Sequence, residues 1–221
     1  MGTQGIIKRT AKFNHVMENI PPAYMRSLHM NEYLLVLNLN EDLRNRIMLV
    51  KQKFAEKYET NLAKFLKPHI ALVHFKSWDL MEEKISQRIK HIAMGAAPFK
   101  IELKDFGSFP THSIYINVST KIPVINLVKQ LKEVQRLMKA DPEQDPHFIS
   151  DPYIAIGRKL LPWQFEKAWQ EYEHKHFTAK FIADSMLLVK RPAGGKAYQI
   201  VERFDFQNLP VATTQASLFA Y

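Results

Sequence analysis

The chain has 221 residues, 31 Lys+Arg against 22 Asp+Glu for a formal charge of +9, 46% hydrophobic residues and no cysteine. That much apolar side chain offsets the entropy of ordering and excludes disorder for the bulk of the chain. The missing thiol excludes disulfides, a thiolate zinc site and a Cys nucleophile, and no run approaches the roughly 20 apolar residues of a membrane helix.

Residues 1–30 carry Lys8, Arg9, Lys12 and Arg26 with no apolar run behind them, so no secretory signal is expected. Ile6 stands where a myristoylation signal following Gly2 has Ser or Thr. This segment reads as an N-terminal extension of a cytoplasmic chain. Period-two patterning then predicts a strand over Asn31–Asn40, and Leu43, Ile47, Val50 and Phe54 share one face of a helix from Glu41 to about Tyr58. Leu66–Phe75 is a strand. Asp79 to about Met94 is a helix N-capped by Ser77 or Asp79, and Phe99–Phe109 with His112–Thr120 forms a hairpin. A helix over Pro123–Lys139 is followed by the loop Asp141–Pro152, which holds three prolines. A strand over Asp151–Leu160, a helix over Pro162–His176 and a hairpin of Phe177–Lys190 with Lys196–Phe206 complete the body, leaving 207–221 as a tail.

The order β-α-β-α-β-β, then α-β-α-β-β, argues for an α+β sandwich and for a near-duplication. Pro68-His69-Ile70-Ala71-Leu72 aligns with Pro152-Tyr153-Ile154-Ala155-Ile156, each on the strand between the two helices of its half. Alternation places His69, Ala71, Val73 and Phe75 on one face of the first strand, with Ile70, Leu72 and His74 on the other. In the second, Tyr153, Ala155, Gly157 and Lys159 share a face and Arg158 falls on the helix-facing side. The small Ala71, Ala155 and Gly157 leave room for a ligand, and Ser113, Tyr115, Asn117 and Ser119 continue the floor.

The element order and the two tetrapeptides resemble the 2H phosphoesterase superfamily, which contains 2′-5′ RNA ligase-like proteins and cyclic phosphodiesterases. The resemblance covers about Asn31–Phe206, including the closing Ala197–Phe204 strand. It implies a single bilobed, pseudo-symmetric domain whose two antiparallel-rich sheets face a central cleft, with helices outside. It also implies a His-x-Thr/Ser-apolar motif from each lobe, the two histidines exchanging protons across a cyclic phosphodiester. Here His69 is kept, Ala71 and Ala155 replace both hydroxyls, and Tyr153 replaces the second histidine. A phenol, ordinarily near pKa 10, donates a proton but is a poor base. Losing a positioned acid or base costs on the order of 10²–10⁴ in rate, and each missing hydrogen bond to a charged phosphate about 1.5–3 kcal/mol.

The expected function is therefore binding or weak hydrolysis of RNA ends or cyclic nucleotides, without cofactor, metal or membrane, by a monomer. His69 and Tyr153 would be catalytic. Ala71, Ala155, Phe75, Tyr115, Lys159, Lys190 and Tyr198 would contact substrate, with Arg191 and Lys196 as further phosphate ligands. The loop residue His147 is an alternative source of the missing imidazole. Trp163, Phe165, Trp169 and Tyr172 read as packing, and His174 with His176 lacks a third ligand for a metal. The rival reading is a non-enzymatic module with a vestigial cleft that binds a protein partner.

Overall fold

The computed structural model describes residues 29–60, 67–140, 143–195 and 197–210. The expected N-terminal extension up to residue 28, the tail beyond 210 and Lys196 lie outside the described residues. Among these, the elements are β1 (Met30–Leu37), α1 (Glu41–Lys57), β2 (Ile70–Trp78), α2 (Glu82–Gly95), β3 (Phe99–Phe109), β4 (Ser113–Val118) and α3 (Lys121–Leu131). They continue with β5 (His147–Phe148), β6 (Tyr153–Arg158), α4 (Pro162–Tyr172), β7 (Thr178–Ala183), β8 (Ser185–Pro192) and β9 (Gln199–Asp205). The strands form two antiparallel sheets, β5-β2-β1-β8-β9 in the first lobe and β6-β4-β3-β7 in the second. Set aside the two-residue β5, and each sheet begins with its motif strand, β2 or β6.

The helices lie against the outer sheet faces. On α2, Ile85, Ile89 and Ala93 repeat every fourth residue and are almost fully buried. The α2 helix and α3 pack on the first sheet, whose Tyr33, Leu35, Leu37, Val73 and Leu188 are shielded from solvent. The second sheet packs on α1 and α4, where Phe54 meets Tyr172 edge-on at 5.3 Å. Asn40 caps α1, its side chain accepting from the Leu43 amide at 3.0 Å. Gln164 ties α4 to the end of α1, donating to the Tyr58 carbonyl at 2.8 Å. The chain passes between lobes, since α1 leaves a strand of the first sheet to pack on the second.

Three expectations are corrected. Phe177–Lys190 is two strands rather than one: β7 pairs with β3, and β8 crosses to β1. Burial moves there from odd positions (Phe181, Ala183) to even ones (Met186, Leu188), which marks the switch. Neither Ser77 nor Asp79 caps α2. The β2 strand runs to Trp78, Asp79 starts a 3-10 turn and accepts from Asn31, and the Ser77 hydroxyl is buried without a hydrogen bond. The Asp141–Pro152 loop contains β5, which pairs with β2.

Candidate active site

The two motif strands touch where the sheets meet, and each carries a β-bulge at the same place. Directly opposed residues of an antiparallel pair lie on one face. Along β1, Leu37 faces Ile70 and Val36 faces Ala71, but Leu35 faces Val73, so Leu72 is the extra residue. Along β4, Tyr115 faces Ala155 and Ile114 faces Gly157, so Ile156 is extra. Counted from His69 and Tyr153, both bulges fall at the fourth position. A bulge inserts one residue and resets the alternation beyond it.

This overturns the simple parity expected beyond each motif. His74, opposite Leu34, returns to the face of Ala71, and Arg158, opposite Ser113, returns to the face of Tyr153 and Ala155. Phe75 goes to the helix side, where it is 2% exposed and stacks on Tyr33 at 5.1 Å. Gly157 goes the same way, and a Cβ there would lie 2.6 Å from Phe54 Cε1, so only glycine lets α1 approach this closely. Lys190 pairs with Tyr33 and is likewise on the helix side, its Nζ 2.7 Å from Glu82 Oε2. Beside it a cavity of about 460 Å³ is lined by His29, Asn31, Asp79, Lys190 and Gln199 among others. Phe75 and Lys190 are thus withdrawn from the substrate-facing set.

His69 is half-buried just ahead of β2. Its Nδ1 lies 2.8 Å from the Lys67 carbonyl, which only accepts, so Nδ1 carries the proton and Nε2 is left with its lone pair. Burial pushes the imidazole down to about 4, opposed by the Lys67 hydrogen bond and reinforced by the charges of Arg158 and Lys51. At neutral pH it is therefore an unprotonated base beside two cations. Lys51 comes from the buried face of α1 with Ile47 and Phe54; it is 4% exposed, and burial followed by the charge of Arg158 brings it down to about 8.

In the second lobe Arg158 Nη2 donates to the Tyr153 hydroxyl at 3.1 Å, so the phenolic proton points elsewhere. Tyr153 packs against Tyr115 at 4.9 Å and Phe109 at 5.1 Å. Tyr115 in turn lies over Gly107, where a Cβ would meet its ring at 2.7 Å. These rings form an aromatic wall with a guanidinium at its edge.

Ala71 and Ala155 are half-buried on the faces described. Tyr198 lies with its ring 4.7 Å from the Arg191 guanidinium, and burial pushes its hydroxyl up. Arg191 forms a two-nitrogen ion pair with Glu32, and Lys159 stands exposed at the end of β6 with φ 53°. Reading the sequence missed Lys51 and placed Arg158 on the helix-facing side. A lysine in register with an apolar stripe marked the first, and a glycine inside a strand pattern, a known bulge signal, marked the second. Nothing local marked the bulge at Leu72.

Among the described residues no three His, Asp or Glu side chains are grouped to hold a metal, and no helix is long and apolar enough to cross a membrane.

The sequence profile of the 2′-5′ RNA ligase superfamily matches residues 41–195. The chain belongs to this superfamily. The match spans both motif strands, and the arrangement resembles that of 2H phosphoesterases. E. coli LigT complexed with 3′-AMP is similar in structure, with a TM-score of 0.60, 14% identity, and coverage of 80% of this chain and 98% of LigT. TT0787 of Thermus thermophilus gives 0.57 and 17%, and E. coli LigT complexed with NADP+ gives 0.56 and 13%; the match takes in 80% of this chain in both cases, with 98% and 99% of the other. A search of curated proteins found no match. At these identities the likeness to the 2′-5′ RNA ligase superfamily structures is one of fold.

Proposed function

We infer that this cytoplasmic, monomeric member of the 2′-5′ RNA ligase superfamily binds the 2′,3′-cyclic phosphate or phosphorylated end of RNA and hydrolyses the cyclic ester slowly. The observation that carries the reading is the His69 imidazole with its Nδ1 on the Lys67 carbonyl and its Nε2 left free, burial and the charges of Arg158 and Lys51 all favouring its neutral form. Two positive charges at a base select an anionic substrate. The crystallisation of LigT with 3′-AMP, NADP+, ATP and phosphate is consistent with such a site.

In the reaction, water attacks phosphorus and gives its proton to His69 Nε2 as the bond to one ribose oxygen breaks. That oxygen takes the electron pair and a proton from the Tyr153 hydroxyl, which Arg158 holds with its hydrogen free. Solvent restores both groups. A bound phosphate offsets the charges of Arg158 and Lys51 and so strengthens His69 as a base. The half-buried Ala71 and Ala155 leave phosphate oxygens without hydroxyl donors, so turnover is slow. Tyr115 and Tyr198 offer ring faces to bases, and Lys159 adds charge at the rim.

The test is incubation with a 2′,3′-cyclic mononucleotide and measurement of both binding and monophosphate formation. Salt-sensitive binding with slow turnover, abolished by His69→Ala, is expected. Absence of binding overturns the reading and leaves the protein-interaction module.

A further inference from the structure

Among the described residues the β5 strand has no counterpart in the second sheet, and it places His147 directly opposite His74. Phe148, its neighbour, turns to the helix side, where Lys132 Nζ lies 6.0 Å from its ring centre. His147 therefore shares the face of His74, Leu34 and, through the bulge, Ala71. Two pairing steps further along β2, Lys76 lies opposite Glu32, itself opposite Arg191, on this same face.

These groups are continuous with the active site. The charges that act on His74 are those of Glu32, Arg191, His147 and Lys76; those that act on Tyr198 are Arg191, Glu32 and Arg158. Arg191 and Glu32 thus act on both His74 and Tyr198, and Arg158 on both Tyr198 and His69. Glu32 is already satisfied by Arg191. What faces outward is two imidazoles and the exposed Lys76 ammonium, all able to donate to an anion.

The separation fixes the kind of anion. Ile70 and His74 lie three pairing steps apart along β1, opposite Leu37 and Leu34, and His69 is the residue before Ile70, which puts His69 and His74 roughly 13 Å apart at a strand's rise per residue. That exceeds the reach of one nucleotide between its own phosphates.

We propose that His74, His147 and Lys76 form a second phosphate station, which makes the preferred ligand an RNA chain end of two or more nucleotides rather than a mononucleotide. It rests on the reading of the cleft given above. The phosphate at His69 is the terminal one, and the station takes one farther back along the same strand.

Binding of a 2′,3′-cyclic mononucleotide is to be compared with that of a trinucleotide bearing the same cyclic end, in the parent and in a His74→Gln, His147→Gln double variant. The parent binds the trinucleotide at least about tenfold more tightly, the worth of one hydrogen bond to a charged group. Its salt slope is steeper by about 0.7 for each added phosphate. The double variant brings the two ligands within about threefold while binding the mononucleotide as before. His147→Glu, at an exposed position, does the same if the double variant fails to fold. Equal binding of both ligands by the parent, or a length preference that survives substitution, overturns the station alone. If neither ligand binds, the reading of the cleft falls and the station with it.

Discussion

The two lobes start from the same strand and end with different chemistry. With β5 set aside, each sheet opens on a motif strand with a bulge at the fourth residue counted from His69 or Tyr153, and each bulge returns the sixth to the face of Ala71 or Ala155. In the first lobe those residues are His69, Ala71 and His74; in the second they are Tyr153, Ala155 and Arg158. The first lobe keeps a base whose tautomer is fixed by its own backbone. The second has an aromatic wall and a guanidinium, groups that can donate to an anion but are poor proton acceptors. The backbone geometry is thus common to the two lobes while the side chains it presents are not.

Restoring the symmetry is the largest test of this comparison. Tyr153→His with Ala71→Thr and Ala155→Thr puts an imidazole and a hydroxyl at matching positions of the two bulged motif strands. Hydrolysis of a 2′,3′-cyclic nucleotide is expected to rise at least about 100-fold. A folded, inert triple variant breaks the comparison, because the backbone would then not be an intact catalytic frame.

Removing the anchor of the second lobe comes next. Arg158→Met is expected to weaken binding of a cyclic nucleotide by about 1.5–3 kcal/mol, tenfold or more by titration, with Arg158→Lys recovering part of it. An unchanged affinity would place the anion elsewhere.

The fold and the site were not equally open to sequence reading. Hydrophobic period set the order of elements, because Ile85, Ile89 and Ala93 or the alternating β1 report burial directly. The repeat located both motif strands for the same reason. What alternation fails to report is a bulge: Leu72 is as apolar as its neighbours, and its insertion leaves no mark while reversing Phe75 and His74. Pairing between distant segments is equally silent, so β5 and His147 emerge only when β2 is present to receive them. Lys190 went to the helix side with its strand neighbour Tyr33, and both meet Glu82, which lies 108 residues before Lys190 and 49 after Tyr33.

A smaller effect sharpens the account of the bulge in β6. Gly157→Ala forces Phe54 aside, and with it the helix that carries Lys51. A loss of about 1–3 kcal/mol in denaturant unfolding is expected, as for other overpacked positions. The same experiment run against pH reads His69. Its folded pKa lies below the unfolded one, so its contribution is full above about pH 6.5 and is lost as pH falls toward about 4. His69→Gln should therefore show the smaller loss of stability between pH 7 and 4, by about 2 kcal/mol.

The claim on which the rest depends is that His69 is a neutral base under the influence of two cations, Arg158 and Lys51, that a phosphate neutralises. NMR titration of its imidazole, with and without saturating 2′,3′-cyclic AMP, measures this directly. The account predicts a midpoint near 4 in the free protein, rising by about one unit or more when the nucleotide binds. A midpoint near 6.5 that ignores the nucleotide would contradict it.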